Sequence, residues 1–472
     1  MVDAITAANS DAPAGGCTPG SGADTLVLPA GSTHTLTAVY NTYYIDSPTG
    51  LPFVTSAITT AGNGSTITRD PGAPQFRILG VANGNLTLQE TTVSGGSIAG
   101  AGGGVSINGG SLTLTNSTVS GNSGSLGGGV SNILSTLTLT NSTLSGNSGA
   151  TTGGGVYNSS GTLILTNSTV SGNSGATRGG GVYNSGTLTL TNGTVSGNTA
   201  GTAGGGLFNY GQATLTLSLV SGNTAPTGAE IFRDSLGNLV TANNFNLFGH
   251  SGLTGAQAFS DFVPGPSDLT ATSDGTRPTA LTAILSPTLA DNGGPTRTHA
   301  LVPANPAVDA VPAGNCVTTT DQRSAPRSQD GDGNTVADCD IGAFELGTQP
   351  PVAVAANPNP QARCTASRCS IPIKCNLDPA SGAQCTVQID FFVSRSAARS
   401  SEPASTKAPG RIRFAAGITN IPAGATANVR LKPTKQGKKI VRTSTRRSLR
   451  GVMEIRNSAG TFSSTRIRIR LR

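Results

Sequence analysis

The chain has 472 residues, a net charge of +7, no tryptophan, 4% aromatic and 11% charged residues, and 65 glycines. An average domain carries about 25% charged residues, so an ordinary compact enzyme core is excluded, and the length allows two or three domains. No apolar run approaches the roughly 18 residues that a membrane-spanning helix needs.

The chain opens on Asp3-Ala-Ile-Thr-Ala-Ala-Asn9 and Gly22-Ala-Asp-Thr-Leu-Val-Leu-Pro29. From Thr91 to Ala229 it then repeats itself, with Arg178 as the one charged side chain. Triple glycines begin at Gly102, Gly127, Gly153, Gly179 and Gly204, spaced 25, 26, 26 and 25 residues apart. A unit this short cannot bury its apolar face alone and must stack on neighbours. In Thr187-Leu-Thr-Leu-Thr191 apolar and hydroxyl residues alternate, which puts Leu188 and Leu190 on one side of a strand. No helical spacing of apolar residues occurs, and three consecutive glycines weaken any helix. Each unit therefore reads as one coil of a parallel β-helix, at about 4.8 Å per coil.

Two sets of asparagines recur in register: Asn122, Asn147, Asn173, Asn198 and Asn223, and Asn116, Asn141, Asn167 and Asn192. Stacked amides hydrogen-bond along such a rod, and asparagine tolerates left-handed turns. The threonines Thr113, Thr115, Thr138, Thr140, Thr189 and Thr191 are expected to form a flat, exposed hydroxyl face, the candidate binding surface. A polysaccharide lyase or glycoside hydrolase would need paired carboxylates, or a base with calcium-binding acids. Between Thr91 and Ala229 there is no Asp, Glu, Lys or His; Glu90 and Glu230 merely bracket the stretch. His34, His250 and His299 are isolated and expected at surfaces or turns. The expectation is a protein that is not an enzyme, with a β-helix lyase or hydrolase as the first alternative and ice binding through Thr-x-Thr arrays as the second.

Beyond the repeats, Asp330, Asp332 and Asn334, with Asp338 and Asp340, place oxygen ligands at alternate positions, which suits a hard cation such as calcium. The bland alternative is a polar loop between Cys316 and Cys339. Thr335 stands where an EF-hand has glycine, and Ile341 where it has its bidentate glutamate. No other cofactor is indicated. A Pro-rich linker follows at Gln349-Pro-Pro-Val352. From Gly347 onward the chain carries 22 Lys/Arg and 4 Asp/Glu, net +18. Its alternating runs, such as Arg466-Ile-Arg-Ile-Arg-Leu-Arg472, predict a small β-sandwich-like module. Cys364, Cys369, Cys375 and Cys385 lack paired C-x-x-C spacing and the module has no histidine. Disulfides are therefore favoured over zinc, with connectivity open, and Cys316 with Cys339 as a further pair. Cys17 is left over. The charge predicts contact with polyanions, while the few phenylalanines give no basis for specific nucleic-acid recognition.

The triple-glycine and Ser-Gly-Asn units resemble the polymorphic outer-membrane-protein type of repeat found in bacterial surface β-helix proteins. The opening phrases resemble the end of a CSLREA-type domain and its first coil. Asp291-Asn-Gly-Gly-Pro-Thr296, Pro306-Ala-Val-Asp-Ala310, Asp321-Gln-Arg323 and Asp340-Ile-Gly-Ala-Phe-Glu345 resemble a choice-of-anchor Q region. The resemblance implies an all-β fold, a right-handed parallel β-helix solenoid with a C-terminal module, in a secreted or cell-surface setting. An export signal is absent from this chain and is expected to be encoded upstream. The organisation expected is a β-helix over 1–250 with regular coils at 86–226, a cap at 251–346, a linker at 347–360 and the basic module at 361–472. Expected partners are glycans or surface proteins on the rod and anionic envelope polymers on the module.

Overall fold

A computed structural model of the chain describes residues 1–41, 48–234, 239–332, 334–347, 353–354, 361–364, 369–375, 384–394, 411–422, 426–435, 438, 448–457 and 462–471. The described residues fall into two compact units, Met1–Gly347 and Thr348–Arg472.

The first unit is a parallel β-solenoid of about eight turns. One coil shows how the repeat folds: strands Val156–Ser159, Thr162–Thr166, Thr169–Ser171 and Ser174–Gly175 follow one another around the axis. Equivalent strands pair in parallel with the coils on either side, Leu137 with Leu163 and Leu163 with Leu188. The inward columns Leu112/Leu137/Leu163/Leu188 and Val119/Leu144/Val170/Val195 are buried. Burying each such side chain contributes about 1.5–3 kcal/mol. The triple glycine marks a corner where backbones nearly touch. Gly153 has φ +64°, and a Cβ on Gly154 would lie 2.4 Å from the Gly180 carbonyl oxygen. No other residue type fits there.

The stacked amides form, although only one of the two anticipated sets does. Each of Asn122, Asn147, Asn173 and Asn198 donates Nδ2–H to the Oδ1 of the next, at 2.9–3.0 Å, as far as Asn223. Asn116, Asn141, Asn167 and Asn192 instead occupy left-handed corners, φ 46–51°. The second amide ladder comes from the Val-Tyr-Asn phrase: Asn132, Asn158, Asn184 and Asn209, each linked to the next at 2.7 Å.

Helix Val2–Ser10 covers the first coil, with Ile5 and Ala8 in the same apolar core. At the other end, parallel stacking continues past residue 250, where Leu247–Phe248 pairs with Leu269–Thr270. The repeat phrases have already dissolved there, so their pattern could not mark the end. Residues 281–346 then fold back along the outside of the rod as a strap over a second apolar cluster of Leu217, Leu219, Ile284, Leu285, Val311 and Ile341 among others. Leu217 and Leu219 stand where earlier coils have asparagine and threonine, so the repeat itself changes to receive the strap.

Among the described residues of the second unit, eight strands form one sheet rather than two facing ones. Cys369–Cys375 pairs with Gln361–Cys364 and also with Thr426–Pro433, which closes seven strands into a ring. This corrects the sandwich-like expectation. Strands as long as Gln384–Ser394 and Arg411–Pro422 accumulate enough twist for the sheet edges to meet. Among the described residues no helix is long and apolar enough to cross a membrane.

Candidate functional site

The face carried by Ser111–Thr115, Thr136–Thr140, Thr162–Thr166 and Thr187–Thr191 is the most regular surface of the rod. Backbone pairing sets Thr113 beside Thr138, and Thr115 beside Thr140. Ile164 then interrupts the first column between Thr138 and Thr189, while Thr166 continues the second to Thr191. All six anticipated threonines are partly exposed. Their neighbours in each column lie one coil apart, about 4.8 Å, and the next hydroxyl along the strand about 6.8 Å away. The outward positions of these strands carry no charge. Such a surface offers donors and acceptors in a fixed lattice at no cost of desolvating an ion.

An aromatic column missed in the sequence lies on a neighbouring sheet. Tyr157, Tyr183, Phe208 and Phe232 stack ring on ring, with centroids 5.1, 5.3 and 4.7 Å apart. Arg178, the single charge within the repeats, stands beside the column, 5.2 Å from the centre of the Phe208 ring. The ring faces are taken up by one another. The signal was in the sequence, as the aromatic residue that follows Val156, Val182, Leu207 and Ile231.

The corner beside the threonine face is occupied by the strap. Gln322 accepts from Thr169 Oγ1 at 2.6 Å and donates to Thr143 Oγ1 at 2.8 Å, while Thr194 Oγ1 accepts from the Ala343 amide at 3.0 Å. Arg327 donates to Asn167 Oδ1 and to the Gly342 carbonyl, and pairs with Glu345 at 3.1 Å. Arg323 pairs with Asp321 at 2.7 Å and lies over the Phe344 ring. The Asp-Gln-Arg and Asp-Ile-Gly-Ala-Phe-Glu phrases thus pin the strap to the rod. His299 belongs to the same contact and is not a surface residue: it is buried, with Nε2 2.7 Å from Ser171 Oγ and Nδ1 2.7 Å from the Ser286 carbonyl. That carbonyl requires a proton on Nδ1, and burial holds the imidazole below its usual pKa.

Two acidic groups with raised titration, Glu230 and Asp340, are buried structural partners. Glu230 ends the asparagine ladder, accepting from Asn223 Nδ2 at 2.6 Å and from the backbone amides of Asn223 and Gly222. The aligned amides leave N–H groups at that end, where a carboxylate completes the row. Burial pushes Glu230 up to about 8 against the pull of these three donors. Asp340 is likewise pushed up to about 8, by burial and then by Glu345.

The anticipated metal ligands divide. Asp330 and Asp332 come together with Asp309, which sequence reasoning missed, with one oxygen of each carboxylate within 4.8 Å of the others. Asn334 folds back onto Asp332, Asp338 accepts from the Ala313 amide, and Asp340 lies buried, accepting from the Asp309 amide. Asp309 Oδ2 accepts from the amides of Gly331 and Asp332, Oδ1 is buried without a partner, and its carboxyl is raised to about 6 by burial and the adjacent acids. One oxygen from each of the three carboxylates makes three of the six to eight that calcium takes, so second carboxylate oxygens, backbone carbonyls or water would have to supply the rest. Cys316–Cys339 is a disulfide, as is Cys364–Cys369, and Cys17 is free. The side chains of Cys375 and Cys385 lie outside the described residues. Compared with known proteins, the chain matches no family model, no curated protein and no solved structure.

Proposed function

We propose that this is a secreted or cell-surface β-solenoid acting as a non-catalytic, adhesin-like binding or spacer module. The rod presents its threonine face to uncharged glycans or to partner proteins, and the basic module rests against anionic envelope polymers. The observation that carries the reading is the register: Thr113, Thr115, Thr138, Thr140, Thr189 and Thr191 fall in two columns on one parallel sheet, the first broken only at Ile164. No side-chain hydrogen bond within the protein engages these six hydroxyls among the described residues. The two disulfides support an oxidising, extracytoplasmic setting. The experiment is an array of neutral and acidic glycans probed with the full chain and with a Thr138→Glu/Thr189→Glu double variant. Binding of a neutral glycan that the double variant loses is the expected result. Release of soluble sugar from any arrayed polysaccharide, abolished by substituting a named acid, would overturn the reading in favour of an enzyme.

A further inference from the structure

The second unit converts a compositional excess of cations into one surface. Along Thr426–Pro433, Arg430 and Lys432 are exposed while Leu431 is buried, and Cys364 and Cys369 are buried too. This alternation fixes which side of the sheet faces solvent, and pairing carries the assignment from strand to strand, since directly opposed residues share a side. Arg430 opposes Ser370, Ser370 opposes Arg363, and Arg363 opposes Arg470. Arg468 opposes Arg450, and Arg466 lies two residues along from Arg468 on the same side. The buried side follows the same path through Leu431, Cys369, Cys364 and Leu471.

Seven arginine positions, 363, 430, 450, 456, 466, 468 and 470, therefore fall on the side on which Arg430 and Lys432 are exposed, across five adjoining strands. Neighbouring positions are about 5–7 Å apart, inside the Debye length of about 8–10 Å, so their potentials add. Two like-charge pairs, Arg450 with Arg468 and Arg363 with Arg470, are directly opposed, an arrangement that destabilises a sheet. The one acid on these five strands, Glu454, lies on the same side, opposite Ser464, and leaves the row in large cationic excess. A face built this way is relieved by anions supplied from outside.

The geometry points to this arginine face as the docking surface for a linear phosphate-bearing polymer, held by its backbone charge without sequence preference. The inference rests on reading the module as an anionic-polymer contact and adds the surface and the polymer chemistry. Arginine's planar fork suits phosphate oxygens. The other positions on this side of the last two strands are Ser448, Val452, Glu454, Ser464 and, opposite Arg456 at the end of the row, Phe462; one phenylalanine is less than the apolar stripe that an interfacial membrane binder inserts.

The test uses the full chain and long-chain inorganic polyphosphate, with affinity measured against salt and thermal midpoint followed in parallel. At 0.1 M salt each backbone contact is worth about fivefold, so Arg466→Gln/Arg468→Gln/Arg470→Gln is expected to weaken binding about a hundredfold and to flatten the salt slope by about two. An Arg277→Gln/Arg297→Gln/Lys438→Gln variant removes the same charge at exposed positions outside these strands and is expected to weaken binding only a few-fold. Should the first triple variant fail to fold, Arg430→Gln/Lys432→Gln at two exposed positions is expected to weaken binding at least tenfold. Polyphosphate is also expected to raise the thermal midpoint of the second unit. Equal weakening by the two triple variants would overturn the patch, since net charge alone would then suffice. Binding to vesicles of phosphatidylcholine and phosphatidylserine in equal parts, with none to polyphosphate, would overturn the polymer in favour of a membrane. Neither outcome touches the threonine face, which the glycan array reads separately.

Discussion

The threonine face and the strap-covered corner are made from the same repeated phrase and meet opposite fates. On the face, Thr138 and Thr189 remain partly exposed with hydroxyls free of side-chain partners in the protein. Around the corner, Thr143, Thr169 and Thr194 are buried and bonded to strap residues 297, 322 and 343. A hydroxyl column is therefore a site only where nothing in the chain has claimed it. The strap also shows what such a column accepts, namely an extended segment that brings an amide or hydroxyl to each rung.

Removing the strap's buried cation should break this contrast most. Arg327→Ala leaves the Glu345 carboxylate and the Asp340 backbone carbonyl without their guanidinium in a buried site, a loss of about 3–5 kcal/mol. Denaturant unfolding and protease cleavage within 281–346 would measure it, and unchanged cleavage would show that the strap is held by its apolar cluster alone. Inside the rod, Asn173→Ala interrupts the amide ladder beneath both surfaces. It should cost about 1–3 kcal/mol and leave the strap protected from protease.

Acidity sharpens the comparison, because Glu230 lies in the rod and His299 under the strap. Glu230 is raised when folded, so the folded state keeps a proton that the unfolded chain loses. Stability should fall as pH rises from about 4.5 to about 8, and Glu230→Gln should flatten that slope. His299 is lowered when folded, so its effect has the opposite sign: strap docking should weaken as pH falls below the unfolded value of about 6.5, and His299→Gln should remove that loss. Urea midpoints across this range, followed by strap proteolysis, separate the two; a single common slope would mean that rod and strap unfold together. The smallest effect on stability is expected on the open face. Thr138→Val/Thr189→Val should change stability by less than about 0.5 kcal/mol while lowering binding of whichever neutral glycan the array selects.

Much of the first unit was legible because its sequence repeats a physical constraint. Alternating leucine and threonine specifies a strand with one buried side, and triple glycine specifies a backbone contact that admits no side chain. What escaped was anything set by residues distant in sequence. The two asparagine sets look alike on the page, yet only that of Asn122 and Asn147 points inward, because Asn116 and Asn141 sit at left-handed corners. Asp309 joins Asp330 and Asp332 only once the loop closed by Cys316 and Cys339 folds over it. His299 looked isolated because its partner, Ser171, lies 128 residues away.

By itself, then, the sequence determined the coil, its period, its uncharged wall and the cationic character of the C-terminal module, since each follows from local alternation, turn chemistry or composition. Only the tertiary structure decided where the coils end, which threonines stay open, which acids are buried and on which side of the closed sheet the arginines gather. Those outcomes depend on register between strands and on one segment folding back over another, and no local pattern encodes either.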